Sequence, residues 1–218
     1  MSRSLQVRAR AGRAAIEQII DWSRQGQSAP ARLLDPGLSG AGPLDAGEGF
    51  AEWAHYPQPD AIDPESGWRF YYHAHPRSQL LRREHGHFHI FVPGPRAQQD
   101  AAHGAFSHLI ALSVDERGLP LRLFTTNRWV TNETWQAAPL LMEHVRHPAL
   151  REAAPRDVAR WLNHLLMAFA PMIATLLVAR DQRLEQAQRY SRAPFEDRRL
   201  RIPSQRTVRI EWLDPLRV

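Results

Sequence analysis

A run of alternating histidines, His85, His87 and His89, stands near the middle of the chain. In an extended strand, alternate side chains share a face, and the residues of this stretch become apolar from Phe88 onward. Seven of the eleven histidines lie within residues 73–108. Because neutral imidazole is a common ligand of transition metals, this pattern predicts a strand with a metal site on one face and apolar residues on the other.

The geometry of a straight strand limits how many of these histidines can bind one ion. His85 and His89 would be separated by about 13 Å along the backbone. We therefore expect His87 and His89 to be ligands. His85 would then either support a ligand by a hydrogen bond or be a catalytic acid–base group. Gly86 is unusual in a strand and indicates a bulge or the close approach of a ligand. The candidates for further ligands on neighbouring strands are His73, His75 and His108.

Two other interpretations of the histidine run remain open from the sequence. One is a histidine site without a metal, and the other is a set of polar residues on the solvated face of an antiparallel sheet. The four histidines outside residues 73–108 do not share the alternating pattern and are expected to be structural or superficial. They are His55, His144, His147 and His164.

The stretch from His85 to Phe91 also resembles the histidine-triad motif of nucleotide hydrolases and transferases, His-x-His-x-His followed by two apolar residues. This resemblance implies that His87, the middle histidine, attacks the α-phosphate of a nucleotide. It covers seven residues of the chain. The segment that precedes the motif in that family, Gly-Gln-Ser/Thr and an apolar residue, is replaced here by Leu80-Leu81-Arg82-Arg83, and Gly86 stands where an apolar residue is usual.

A second polar segment, residues 124–135, leaves a predicted strand and contains two tryptophans. Asn127, Arg128 and Asn132 could bind an anionic or amide-bearing substrate, and Glu133 could be a metal ligand or a catalytic base. The alternative is a loop that is held in place by buried tryptophans.

The composition excludes several classes of chemistry. The chain has no cysteine, so it has neither disulfides, nor a thiolate metal site, nor a cysteine nucleophile. All 28 basic residues are arginine, which excludes Schiff-base lysines and phosphate loops of the Walker type. The formal charge of +5 is compatible with an anionic small-molecule substrate. Because the arginines are dispersed, no nucleic-acid partner is expected.

The sequence predicts a cytoplasmic bacterial protein without a membrane partner. Residues 1–21 lack the continuous apolar segment of a secretory signal. The longest apolar run, residues 165–179, is interrupted by Pro171 and is too short to cross a bilayer. A homo-oligomer is compatible with the sequence.

The hydrophobic periodicity predicts three regions: an N-terminal helix within residues 1–25, a Gly/Pro-rich linker or loop over residues 26–49, and a single domain over residues 50–218. In that domain we expect a sheet over about residues 68–135. Its four strands are predicted at residues 68–75, 85–92, 105–114 and 119–127.

Helical spacing predicts helices over about residues 155–190, with a break or kink at Pro171, and residues 206–212 are expected to add an edge segment. The predicted fold is therefore α+β: an antiparallel meander with an N-terminal helix and a long C-terminal helical pair packed on one face. The histidines are expected on the open face.

We expect a histidine-ligated metalloenzyme with one non-haem ion (Fe, Mn, Cu or Zn) acting on a small molecule. The alternatives are a non-catalytic metal- or haem-binding module and a metal-free nucleotide hydrolase or transferase.

Overall fold

Six antiparallel strands form one sheet, in which every strand pairs with its neighbours in sequence. The computed structural model describes residues 2–34, 51, 53–74, 83–95 and 106–214. The strands are β1 (Tyr56–Ile62), β2 (Arg69–His73), β3 (Gly86–Pro93), β4 (Phe106–Val114), β5 (Pro120–Phe124) and β6 (Gln205–Thr207). The predicted meander is confirmed, and β6 supplies the edge strand that the sequence placed near residue 206.

The sequence analysis did not predict β1. Pro57 and Pro59 remove two backbone donors from this segment, which argues against a central strand. The structure places β1 at the edge of the sheet, where it pairs only with β2. An edge strand tolerates the missing donors on its unpaired side.

Five α-helices accompany the sheet in the described part of the chain. They are α1 (Arg3–Arg24), α2 (Ala29–Leu34), α3 (Arg128–Thr131), α4 (Ala138–Arg146) and α5 (Arg156–Gln188), and short 3-10 turns cover Pro194–Glu196 and Ile210–Leu213. The α+β class is confirmed. α1 coincides with the predicted N-terminal helix, and its Ser2 cap accepts a hydrogen bond from the Leu5 backbone N–H at 3.3 Å.

The predicted helical pair is a single continuous helix, α5, which passes through Pro171. Proline inside a helix costs about 3 kcal/mol because a backbone hydrogen bond is lost. The apolar stripe of α5 is buried on both sides of the proline, at Leu165 and Phe169 before it and Ile173 and Leu177 after it. This packing offsets the missing bond.

One face of the sheet packs against α5 and α1 to form the core. The rings of Phe88 on β3 and Trp161 on α5 lie 5.6 Å apart, and Trp161 lies 5.7 Å from Trp22 of α1. Phe88 and Ile90 are both fully buried in this cluster. The apolar half of the predicted alternation in β3 is therefore confirmed.

The opposite face is not open to solvent, which corrects the prediction. His87 and His89 are 6% and 1% exposed, and Ser113 beside them on β4 is fully buried. Aromatic rings surround the two histidines: Phe124 lies 5.1 Å from His87, and Tyr71 lies 5.0 Å from His89. The interpretation of the histidines as a solvated polar face is therefore wrong.

α5 is long and apolar enough to cross a membrane by length and composition. Half of its most apolar window is buried inside the protein, so its length and composition are weak evidence for a membrane span.

Candidate metal centre

The pairing of β2 with β3 sets His73 directly opposite His87. The two Nε2 atoms lie 2.8 Å apart. His89 follows two residues after His87 on the same face, and it is paired with Tyr71 across the strands. Strand alternation and antiparallel register therefore bring three imidazoles from two strands together.

The three histidines form a compact donor set. One nitrogen from each of His73, His87 and His89 lies within 4.8 Å of the other two. The ring centroids are 4.5, 4.9 and 5.1 Å apart. Nitrogens bound to one tetrahedral ion lie roughly 3.4 Å from each other, since each bond is about 2.0–2.1 Å long. Small side-chain rotations would bring the three nitrogens to that spacing, so the residues fit a transition-metal ion.

Glu84 is hydrogen-bonded to Nδ1 of His87, the ring nitrogen that does not face His73. Its Oε1 accepts hydrogen bonds from His87 Nδ1 at 3.1 Å and from the Ser113 hydroxyl at 2.7 Å, and its Oε2 lies 3.3 Å from the Arg122 guanidinium. Burial acts to raise the pKa of Glu84, but these hydrogen bonds and the charges of His87 and Arg122 hold the pKa at about 2. An ionised carboxylate on Nδ1 leaves the lone pair of His87 on Nε2, facing His73. The sequence analysis missed Glu84, and its only signal was an acidic residue just before an apolar strand.

His85 does not join the three histidines. Its Nδ1 makes a 2.6 Å hydrogen bond with the Tyr72 hydroxyl, and the Tyr72 ring packs against Phe88 on the core side of the sheet. β3 begins at Gly86, so the alternation of faces does not extend back to His85. Glu84 occupies the place beside His87 that the sequence analysis assigned to His85.

His108 contacts the Nδ1 side of the His89 ring. Its Nε2 lies 3.0 Å from His89 Nδ1, and its Nδ1 lies 3.1 Å from the Thr126 hydroxyl. The β3–β4 register shifts between Ile90 and Phe91, which sets His108 opposite Phe91 and places it on the histidine face of the sheet, next to His89. His108 thus orients His89 and lies outside the three-histidine group. His75, the remaining predicted ligand, lies outside the described residues.

The buried histidines are held in the neutral form that a metal requires. Burial lowers the pKa of His87 in spite of the neighbouring Glu84 carboxylate. Burial and the surrounding histidines lower the pKa of His89 well below its usual value. Burial, with the charges of Arg180 and His87, lowers the pKa of His108 to about 3. At neutral pH these imidazoles therefore carry lone pairs.

Residues 14–208 match the family model described as "Domain of unknown function (DUF6969)". The chain belongs to the DUF6969 family. No curated protein matches the chain. No solved structure matches it either. The matched range contains the three clustered histidines, Glu84 and His108.

In this member of the DUF6969 family, the predicted base Glu133 lies next to the backbone of His108. Glu133 is fully buried, and its Oε2 accepts a hydrogen bond from the His108 backbone N–H. Burial raises the pKa of Glu133 to about 8, although the charge of Arg180 opposes this effect. A carboxyl that is neutral at pH 7 and bound to the backbone of β4 supports the strand.

The predicted substrate-binding residues have structural contacts in this DUF6969 chain. Asn127 caps α3 by accepting from the Arg128 backbone N–H at 2.8 Å, and its amide donates to the Pro194 carbonyl at 2.8 Å. Arg128 donates to Glu196 at 3.0 Å, and Asn132 ends α3 in the left-handed conformation, with φ 50°. None of these contacts reaches the three histidines, which favours the interpretation of this segment as a structural loop.

Proposed function

We propose that this chain is a metalloenzyme that holds one non-haem transition-metal ion with His73, His87 and His89 and acts on a small molecule. The observation that carries the proposal is the convergence of three buried imidazole nitrogens within 4.8 Å. Burial of polar groups costs free energy unless their lone pairs are satisfied. A shared cation satisfies three lone pairs at once.

The donor set limits which ions are suitable. Three imidazoles and a chain without cysteine suit Fe, Mn, Cu or Zn. Three protein ligands leave at least one coordination position for water or substrate, as in catalytic metal sites, whereas structural zinc sites use four protein ligands. The bound ion would supply Lewis-acid or redox chemistry.

Neighbouring residues prepare the three ligands. Glu84 fixes the proton of His87 on Nδ1, and His108 supports His89 through its Nδ1. The Phe124 and Tyr71 rings restrict water beside these imidazoles. Metal ligands are typically hydrogen-bonded in this way to neighbouring residues, and these hydrogen bonds raise the affinity of the site for the ion.

Elemental analysis of protein purified without a polyhistidine tag tests the proposal. We expect about one transition-metal ion per chain in the wild type, because the structure has one such histidine group in its described part. His73→Ala, His87→Ala and His89→Ala should each lose most of the metal. His164→Ala is the matched control, since this half-buried histidine on α5 lies outside the group, and its metal content should equal that of the wild type.

Equal metal content in all of these variants would contradict the proposal. A second result would replace it with the metal-free histidine-triad function. That result is cleavage of an adenosine phosphoramidate that persists in excess EDTA and disappears in His87→Ala.

A further inference from the structure

Trp53 and Arg201 approach each other beside the three histidines. The Trp53 backbone N–H donates to the Ala74 carbonyl at 3.2 Å, directly after the end of β2. The Arg201 carbonyl accepts from the Asn127 backbone N–H at 3.1 Å, three residues after the end of β5. Because β3 and β4 lie between those two strands, the pair brackets the strand that carries His87.

Trp53 is exposed and held in an unfavourable backbone conformation. Nearly half of it, 48%, is exposed. Its φ angle is 68°, in the left-handed region that favours glycine. A large aromatic residue in this region is uncommon, and such conformations occur preferentially at functional sites. The Arg201 guanidinium lies 5.9 Å from the centre of the Trp53 ring.

Arg201 carries a positive charge that is not neutralised by an acidic side chain in the described part of the chain. Two other arginines are neutralised: Arg122 pairs with Glu84, and Arg128 pairs with Glu196. A guanidinium in this position is suited to a carboxylate, which it can bind through two parallel hydrogen bonds.

The three histidines differ in how much of their surface remains exposed. His73 and His87 keep 9% and 6% of their surface, whereas His89 keeps 1%. The partly exposed His55 ring stacks on Tyr71 at 3.6 Å and lies 5.8 Å from His73. Flat aromatic surfaces therefore border the approach to His73.

We propose that the metal centre takes a small planar organic anion, whose carboxylate is bound by Arg201 and whose ring or unsaturated body stacks on Trp53. This inference rests on the proposed function for its location, since it assigns the substrate class of that same centre. The inference depends on three observations: the charge of Arg201 without an acidic partner in the described residues, the exposed ring of Trp53, and the partial exposure of His73 and His87. Arginine and aromatic side chains together recognise planar anions in this way.

Calorimetric titration with benzoate tests the inference on the metal-loaded wild-type protein. We expect saturable binding, and roughly tenfold weaker binding in Arg201→Gln because the charged partner of the carboxylate is lost. Two other probes separate the two contacts. Benzamide lacks the charge and cyclohexanecarboxylate lacks the planar ring, and each should bind roughly tenfold more weakly than benzoate.

Trp53→Gly distinguishes a binding role from a structural one. Glycine adopts a φ of 68° without strain, so this variant should unfold at the same temperature as the wild type or above it. We expect it to lose benzoate binding all the same. A lower unfolding temperature with unchanged benzoate affinity would overturn the inference.

Arg198→Gln is the matched control for charge. The Arg198 guanidinium lies 4.4 Å from the Trp129 ring, so it forms an arginine–tryptophan pair of the same kind at another place. This variant should bind benzoate like the wild type. Equal weakening in Arg198→Gln and Arg201→Gln would show a non-specific charge effect and would overturn the inference.

Metal content, measured on the same samples, separates failure of this inference from failure of the proposed function. Metal-loaded protein that does not bind benzoate overturns the planar-anion inference alone. Protein without metal overturns the proposed function. If the metal-free protein still binds benzoate, and this binding is weakened in Arg201→Gln and Trp53→Gly, the result supports the anion-binding site. If the metal-free protein does not bind benzoate, the planar-anion inference is overturned as well.

Discussion

Nε2 of His73 lies 2.8 Å from Nε2 of His87 across the β2–β3 pair. The Glu84 carboxylate can only accept a hydrogen bond, so Nδ1 of His87 carries the proton and Nε2 presents its lone pair to His73. Two ring nitrogens at this distance share either a proton or a cation. The cation alternative also recruits His89, and it makes Glu84 the residue that prepares His87 for the metal.

Replacement of Glu84 by glutamine should weaken metal binding while the fold is retained. The amide oxygen can still accept from His87 Nδ1, but the negative charge that strengthens this hydrogen bond is lost. Loss of such a supporting group typically lowers metal affinity about 10- to 100-fold. Competition titration against a coloured chelator measures the dissociation constant. Glu185→Gln, at an exposed position on α5, should leave the affinity unchanged, and equal affinities in the two variants would contradict the assigned role of Glu84.

Periodicity was sufficient to predict the α+β fold. Alternating and helical hydrophobic patterns record which face of an element is buried, and Phe88 and Trp161 do meet in the core. Periodicity does not show whether packing before and after a proline can keep a helix continuous. For this reason a break was expected at Pro171 in α5. It also gives no signal for β1, an edge strand with two prolines.

The site was predictable where it depends on alternation within one strand. His87 and His89 share a face as expected, and a histidine on the adjacent strand joins them. The sequence did not predict that Glu84, and not His85, lies beside His87, because the alternation of faces fails where a strand begins. The position of His108 depends on a register shift between β3 and β4. A register shift is a property of two paired strands, and the spacing of residues in one strand does not reveal it.

Replacement of Gly86 by alanine should separate β2 from β3. A Cβ at Gly86 would lie 2.5 Å from the His73 carbonyl oxygen and closer still to the Tyr72 hydroxyl. The strands must move apart, which shifts His73 away from His87. We expect a loss of about 1–3 kcal/mol in the free energy of unfolding and weaker metal binding. Denaturant unfolding and metal titration measure the two effects.

Tyr72→Phe provides the internal comparison for Gly86→Ala. A Cβ at Gly86 would also lie 2.6 Å from Cζ of Tyr72, so removal of the hydroxyl relieves only the closest of three contacts. The double variant should therefore recover a small part of the stability that Gly86→Ala loses. The contact with the His73 carbonyl remains, so recovery should be incomplete. Wild-type stability in Gly86→Ala alone would show that the two strands are not closely packed at this point.

Glu133 should make the stability of the protein depend on pH. Its usual pKa of 4.5 applies in the unfolded chain, and burial raises the pKa to about 8 in the folded protein. The neutral carboxyl is favoured by folding and the ionised one is not. The contribution of Glu133 to stability is therefore complete below pH 4.5 and is lost as the pH rises toward 8.

Glu133→Gln should consequently be more stable than the wild type at neutral pH. Glutamine keeps the oxygen that accepts from the His108 backbone N–H and cannot ionise. We expect a gain in the free energy of unfolding of up to about 3 kcal/mol at pH 7 and no gain at pH 4. Denaturant unfolding of both proteins at the two pH values measures this difference, and the exposed Glu185→Gln should show no comparable gain. A variant less stable than the wild type at pH 7 would mean that Glu133 is ionised and paired with a cation in the folded protein.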